Sequence, residues 1–210
     1  MRVATIFAAI LFMVTGCATT EFTSEWRDQS FRGQSQKLMV IGMAKKPVLR
    51  RVFEDEFVHQ LKRAGTDAVA SYAVLPDGKL PEHRVIAAKM KELGADAVLI
   101  TRLVDRKVVR TYVPGRIDHP MGYWYDRYPG YYGSWPSYYN YGSSFMYSPG
   151  YIDEDQYALM ETCMYAVGNG ENLIWSATSE TMINRSDQKM IKSFIEAMVD
   201  KLQEQGLLKK

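Results

Sequence analysis

Residues 37–43, KLMVIGM, are a continuous apolar run, and the residues after it place Leu49, Phe53, Phe57 and Leu61 four apart. A short uninterrupted apolar run reads as a strand buried on both faces, and the fourfold spacing as one apolar stripe on a helix. Pro47 suits the first turn of that helix, Lys62 and Arg63 suit its carbonyl end, and Gly65 can stop it. The same alternation continues. Residues 67–75 read as a second strand, and residues 76–94 as a turn and a second helix. Pro81 opens that helix, Ile86, Met90 and Leu93 form its stripe, and Gly94 closes it. Residues 95–113 read as a long strand, apolar at first and then carrying Asp105, Arg106, Lys107 and Arg110, so it is expected to start in the core and run out past it. Residues 155–167 and 173–183 read as a hairpin around the turn GNGEN. A last helix spans 186–206, capped by Ser186, striped by Ile191, Ile195, Met198 and Leu202, and ended by Gly206.

The order is strand, helix, strand, helix, long strand, insertion, strand, strand, helix. Alternating strand and helix units imply parallel strands with right-handed crossovers, and the hairpin adds an antiparallel part. The expected fold class is therefore α/β (α+β mixed): one mixed sheet of about five strands with three helices in a single domain over 37–206. No internal repeat is visible.

The chain begins MRVATIFAAILFMVTGC. Arg2 supplies a short positive region, and Val3–Val14 is an uncharged, mostly apolar run. It falls short of the ~20 residues of a membrane-spanning helix and fits the core of a signal peptide. The run ends in Val14-Thr15-Gly16-Cys17, which resembles a bacterial lipobox. That resemblance implies removal of residues 1–16 as a lipoprotein signal peptide and acylation of the Cys17 thiol, including a thioether to diacylglycerol. Two or more acyl chains, at ~0.8 kcal/mol per buried methylene, hold a protein stably on a bilayer. Ala18 follows the cysteine where an aspartate would resemble an inner-membrane retention signal. The expectation is an outer-membrane anchor facing the periplasm. Residues 17–36 are polar and without sustained periodicity, and read as a lipidated tether holding the domain off the membrane, with Trp26 and Phe31 able to dock on it.

Removing residues 1–16 takes away one basic residue, and the basic and acidic totals, 26 and 24 in the full chain, become almost equal. This balance gives no reason to expect nucleic acid as a partner. With Cys17 acylated, Cys163 is left without an intramolecular disulfide partner. Its place in an alternating strand pattern reads as a structural thiol.

The insertion, 114–152, has an unusual composition. Between residues 123 and 151 there are ten tyrosines, and residues 128–152 carry no charge. Pro114, Pro120, Pro129, Pro136 and Pro149 oppose regular structure. Three readings stand side by side: a poorly ordered loop partly covering the sheet; an aromatic binding surface for protein, peptidoglycan or polysaccharide; or a segment resting at a membrane interface. The candidate binding residues are Tyr123, Trp124, Tyr125, Tyr128, Tyr131, Tyr132, Trp135, Tyr138, Tyr139 and Tyr141. Base stacking normally comes with a positive groove, and Arg116 and Arg127 are the only basic residues here.

Catalytic and metal-binding patterns are weak. His59 and His83 lie on expected helices without a HExxH spacing, and His119 lies beside Asp118 in the insertion. No metal or cofactor is expected. Ser186-x-x-Lys189 has the spacing of a serine acylation motif but lacks its companion elements, and helix capping accounts for Ser186. Gly42 follows a strand and precedes a helix, where it serves the turn rather than a phosphate. Arg50 and Arg51 read as a solvated helix face.

The segments VIGMA, RRVFEDEFVHQLKRAGTDAVASYAVLP, LGADAVLITRLVD and GNGENLIWSATSE occur in an order that resembles a group of envelope lipoprotein domains. The group includes the curli-secretion component, the penicillin-binding-protein activator lipoproteins and the amino-terminal domain of the Tol β-propeller protein. In it an alanine-aspartate pair precedes a buried strand, and a turn leads into a tryptophan-bearing strand; here these are Ala95, Asp96 and Trp175. The chain also resembles bacterial outer-membrane lipoproteins of uncharacterised function. The resemblance implies the small α/β fold, a lipid anchor and docking onto envelope partners, and it supplies no catalytic residue. The tyrosine insertion departs from the group, and no stretch resembles the pore-forming strands of curli secretion.

These readings lead to a non-enzymatic docking or assembly module. A first alternative is a small-ligand or enzymatic domain using the cleft at the carboxyl ends of the parallel strands, a reading that convergence of Asp77, His83 and Asp105 in a formed pocket would favour. A second is a surface or matrix protein associating through its tyrosines.

Overall fold

The computed structural model describes residues 20–75, 82–118, 135–136, 146–167, 172–183 and 186–209. The chain divides into two compact units, Met1–Lys107 with Tyr157–Lys210, and Val108–Gln156.

The described elements are β1 (Thr20–Arg27), β2 (Lys37–Met43), α1 (Pro47–Arg63), β3 (Asp67–Ala70), α2 (Ser71–Val74), α3 (His83–Leu93), β4 (Ala97–Val113), β5 (Arg116–Asp118), β6 (Met146–Ser148), β7 (Tyr151–Ala166), β8 (Asn172–Met182) and α4 (Asp187–Glu204). Six strands form one mixed sheet in the order β1-β8-β7-β4-β2-β3, and β5 and β6 form a separate two-stranded sheet. Strands β3 and β4 pair in parallel with β2, and β8 pairs antiparallel with both β7 and β1. The mixed α/β class read from the sequence is the class observed.

Strand β2 explains the two-sided core. Its side chains alternate, so Leu38 and Val40 face one side and Met39 and Ile41 the other, all of them buried. The first side meets Phe53, Phe57 and Leu61 of α1 and Phe194, Ile195, Met198 and Leu202 of α4. The second side meets Met90 of α3 with Ala95 and Val98. The chain steps from β2 to β3 on one side and to β4 on the other, and α1 and α3 pack on opposite faces of the sheet. Such a reversal of winding is where open α/β sheets form a crevice at their carboxyl ends.

The helix ends follow their local chemistry. Pro47 sits in the first turn of α1, and Ser186 caps α4, its hydroxyl accepting from the Lys189 N–H at 3.3 Å. Gly94 ends α3 at φ 64°, a left-handed conformation that a β-carbon would strain. Strand β4 is buried from Ala97 to Leu99 and mostly exposed from Arg102 onward, as expected of a strand that leaves the core.

Three differences from the sequence reading have physical causes. Residues 20–27, within the stretch read as a tether, form edge strand β1, making six strands rather than five. Thr20 bonds Thr181 hydroxyl to hydroxyl at 3.0 Å, and Phe22 packs on the core, while Glu21 and Thr23 face outward. An edge strand with a polar outer row lacks the apolar density that marks a buried strand. Phe31 also packs on the core, whereas Trp26 is exposed. Next, the expected strand 67–75 stops at Ala70, and Ser71–Val74 turn into a single helical turn, a fourth helix. The buried Glu54 carboxylate draws their donors out of the ladder. Lastly, the hairpin strands begin earlier than their apolar residues, at Tyr151 and Asn172.

Candidate functional site

A cluster of polar groups gathers at the carboxyl ends of β2 and β3. Glu54, fully buried on α1, points at the end of β2. One of its carboxylate oxygens, Oε1, accepts from the Gly42 N–H at 2.9 Å, the Arg50 Nε at 2.9 Å and the Ser71 hydroxyl at 2.8 Å. Oε2 accepts from the Tyr72 N–H at 2.9 Å. Arg50 also donates from its terminal nitrogen to the Ser71 hydroxyl at 2.7 Å. A buried carboxylate is tolerated where charge and hydrogen bonds compensate its lost hydration, and here both oxygens are engaged. A β-carbon on Gly42 would lie 2.9 Å from the Phe53 ring, which would have to shift to admit it. The arrangement is a clasp that ties β2, α1 and α2 together.

Arg50 therefore departs from the solvated-face reading: its side chain is only 13% exposed and is paired to Glu54. Its neighbour Arg51 lies on the outer face, its guanidinium 5.5 Å from the centre of the Tyr72 ring. The Tyr72 hydroxyl donates to Asp55, and this hydrogen bond pushes the phenol above its ordinary value, with burial adding to it. The sequence carried a signal for Glu54 that periodicity obscured. An acidic residue flanked by Phe53 and Phe57 falls on the buried side of α1.

At the opposite ends of the strands, Asp96 staples β2 to β4. Its carboxylate accepts from the Gln36 N–H at 2.7 Å and the Lys37 N–H at 3.3 Å, and its own N–H donates to the Lys37 carbonyl at 3.0 Å. Ala95 before it is buried. Trp175 is fully buried in β8 and donates its indole N–H to Glu25 of β1 at 3.2 Å. Glu25 also pairs with Lys201 of α4 at 3.5 Å, and Arg27 donates to the Gln205 carbonyl. Strand β1 is thus held along its length by buried and half-buried polar ties.

In the second unit, β5 and β6 pair antiparallel, with Arg116 opposite Ser148 and Ile117 opposite Tyr147. Gly115 and Gly150 permit the close approach of their segments, since a β-carbon on Gly115 would stand 2.7 Å from the Gly150 nitrogen. Arg110 pairs with Glu154 at 2.7 Å. The described aromatic side chains are strongly exposed: Trp135 at 79%, Tyr112 at 68% and Tyr151 at 58%, with Ile152 at 62% beside Tyr151 in sequence.

Of the candidate binding residues, Trp135 is described, and it is exposed. Tyr123, Trp124, Tyr125, Tyr128, Tyr131, Tyr132, Tyr138, Tyr139 and Tyr141 lie outside the described residues, as do Cys17, Asp77 and His119. Asp105 is exposed on β4, and His59 is exposed on α1. Among the described residues no cluster of three or more histidine, cysteine or acidic side chains is placed to hold a metal ion. Cys163 is half-buried, and burial, reinforced by the Glu161 carboxylate, pushes its thiol above the ordinary value. This is the setting of a packed thiol rather than of an activated nucleophile. No described helix is long and apolar enough to cross a membrane.

No protein-family model matches the chain, and no curated protein matches it. Among solved structures it is similar to the PelC dodecamer from Paraburkholderia phytofirmans, at 11% identity and a TM-score of 0.46, over 91% of this chain and 99% of that one. A variant PelC dodecamer from the same organism is similar at 13% identity and a TM-score of 0.43, over 86% of this chain and 93% of that one.

Proposed function

We propose that the protein is a lipid-anchored envelope protein of the outer membrane, facing the periplasm, whose α/β domain serves as a non-enzymatic docking or assembly module. The reading rests on one observation above all: an apolar run of signal-peptide length that ends in Val14-Thr15-Gly16-Cys17. It draws support from the fate of the ionisable groups in the first unit. Glu54, Arg50 and Asp96 are committed to holding the fold.

The aromatic second unit is the proposed contact surface, and its partner is an envelope protein or a glycan. Exposed tyrosine and tryptophan offer large, rigid contact area with polar edges that tolerate water. Trp135, Tyr112 and Tyr151 have this exposure. Two experiments test the proposal. Cys17→Ala is expected to release the protein from outer-membrane fractions; a variant that still floats with them contradicts the anchor. Deleting residues 120–150 is expected to remove crosslinked partners in intact cells; an unchanged partner set contradicts the role of the segment.

A further inference from the structure

We propose that Ser71–Leu75 is a two-state strap: it forms either the helical turn of the structure or an added length of β3, and the buried charge of Glu54 holds it in the turn. The hydrogen bonds along β2 carry the inference. Toward β3, the Gln36 carbonyl accepts from the Asp67 N–H at 3.2 Å; toward β4, the Lys37 carbonyl accepts from the Asp96 N–H at 3.0 Å. Backbone groups of successive strand residues point to alternate neighbours, so Gly42, like Gln36, faces the β3 side. Strand β2 pairs with β4 as far as Met43, but with β3 only as far as Val40 opposite Ala70. In a longer β3, the Gly42 N–H would donate to the Ser71 carbonyl. Both groups are diverted instead. The Gly42 N–H donates to Glu54 Oε1 at 2.9 Å, and the Ser71 carbonyl accepts from the Leu75 N–H at 2.9 Å. Exchanging these partners converts one state into the other.

Local forces do not favour the turn. A single helical turn is too short to hold itself in water, α2 has no side-chain cap, and Tyr72 and Val74 are strand formers. What holds it is the Glu54 carboxylate, which accepts from the Ser71 hydroxyl and from the Tyr72 N–H. Continuing the register of β3 would set Ser71 opposite Ile41 and Ala73 opposite Met43. Alternation would keep Leu75 on the side of Val69, and both pack with the cluster of Met39 and Ile41 in the structure. The strap therefore has a place for its largest apolar side chain in either state. Its movement reaches the surface through Tyr72. The Tyr72 hydroxyl donates to Asp55, and its ring lies 5.5 Å from the Arg51 guanidinium, both on the exposed side of α1. A buried carboxylate thereby sets the arrangement of an exposed patch.

The test places two reporter cysteines, Met43→Cys and Ala73→Cys, at exposed positions of the full chain, with Cys17→Ser and Cys163→Ser removing the native thiols. Opposed residues of neighbouring strands lie ~4.8 Å apart, within reach of a disulfide. Glu54→Gln is expected to raise the rate of crosslinking about tenfold over the same chain with Glu54 in place. Arg50→Leu with Glu54→Leu removes the ion pair as a unit and should give the same rise, which keeps the test open where Glu54→Gln alone does not fold. Each chain is compared at a temperature where circular dichroism shows it folded. Equal rates with and without Glu54 overturn the proposal, whether the crosslink forms in both chains or in neither.

Discussion

Strands β2, β3 and β4 run parallel, and β2 is packed on both faces, between α1 and α4 on one side and α3 on the other. Strand β8 runs antiparallel to its two neighbours, β7 and β1, and these strands bury one face against α1 and α4; the opposite face of β7 carries half-buried side chains such as Leu159, Glu161 and Cys163. The difference shows how one sheet serves two environments. The parallel half needs helices on both sides because its crossovers supply them, and its sequence is continuously apolar. The antiparallel half is joined by a short turn, so its sequence alternates and its second face tolerates charge. The ion pair between Arg102 and Glu161 and the hydroxyl pair Thr23–Thr178 lie outside the core.

The sharpest way to break this comparison is to place the same charge in each half. Met39→Lys puts an ammonium where the native side chain has no exposure, and should cost at least ~4 kcal/mol or abolish folding. Leu159→Lys places it on the half-buried face opposite Glu180, and should cost less than ~1 kcal/mol. Chemical denaturation of both variants reads the difference; equal losses would mean that the two halves are buried alike.

The clasp in the parallel half gives the next largest effect. Glu54→Gln keeps the shape but removes the charge facing Arg50, and should destabilise by ~3 kcal/mol. Denaturation midpoints within experimental error of the native protein would show that the clasp adds nothing. In the antiparallel half, the Ser179 hydroxyl is buried without a hydrogen-bond partner among the described residues. Ser179→Ala should leave stability unchanged or raise it by ~1 kcal/mol; a clear loss would reveal a bound partner for that hydroxyl.

The smallest effect is a titration. The Cys163 thiol holds its proton above the ordinary value of 9.0 because burial, and then Glu161, disfavour the thiolate. The folded state binds this proton more tightly than the unfolded chain does. Its contribution to stability is therefore present below pH 9.0 and is lost as pH rises through the folded value. Alkylation by iodoacetamide should reach half its maximal rate above pH 9.0; a midpoint below that value would mark an activated thiol.

Much of the first unit was legible because its signals are local. The stripe Leu49, Phe53, Phe57 and Leu61, the stop at Gly94 and the cap at Ser186 each express short-range rules, and each element formed where those rules place it. The misread elements depend on partners far away in sequence. Strand β1 looks like a polar linker until Thr181, Trp175 and Lys201 are brought beside it, from 150 or more residues along the chain. The end of β3 at Ala70 depends on Glu54 and its four donors, which no local pattern brings together. For the candidate surface, composition marked the aromatic segment, and of its ten candidate residues Trp135 is described and exposed. The arrangement of its tyrosines is not a matter of local pattern, because five prolines and a run without charge favour no period.

Strand β1 belongs to the folded domain and is not a leash. Hydrogen exchange of the mature chain, read by mass spectrometry on peptides covering residues 20–27, tests this most directly. The amides of 20–27 that pair with β8 should exchange on the same slow timescale as those of Ile174–Thr181. Exchange within seconds over 20–27, with residues 174–181 still protected, would contradict it and return the segment to a flexible tether.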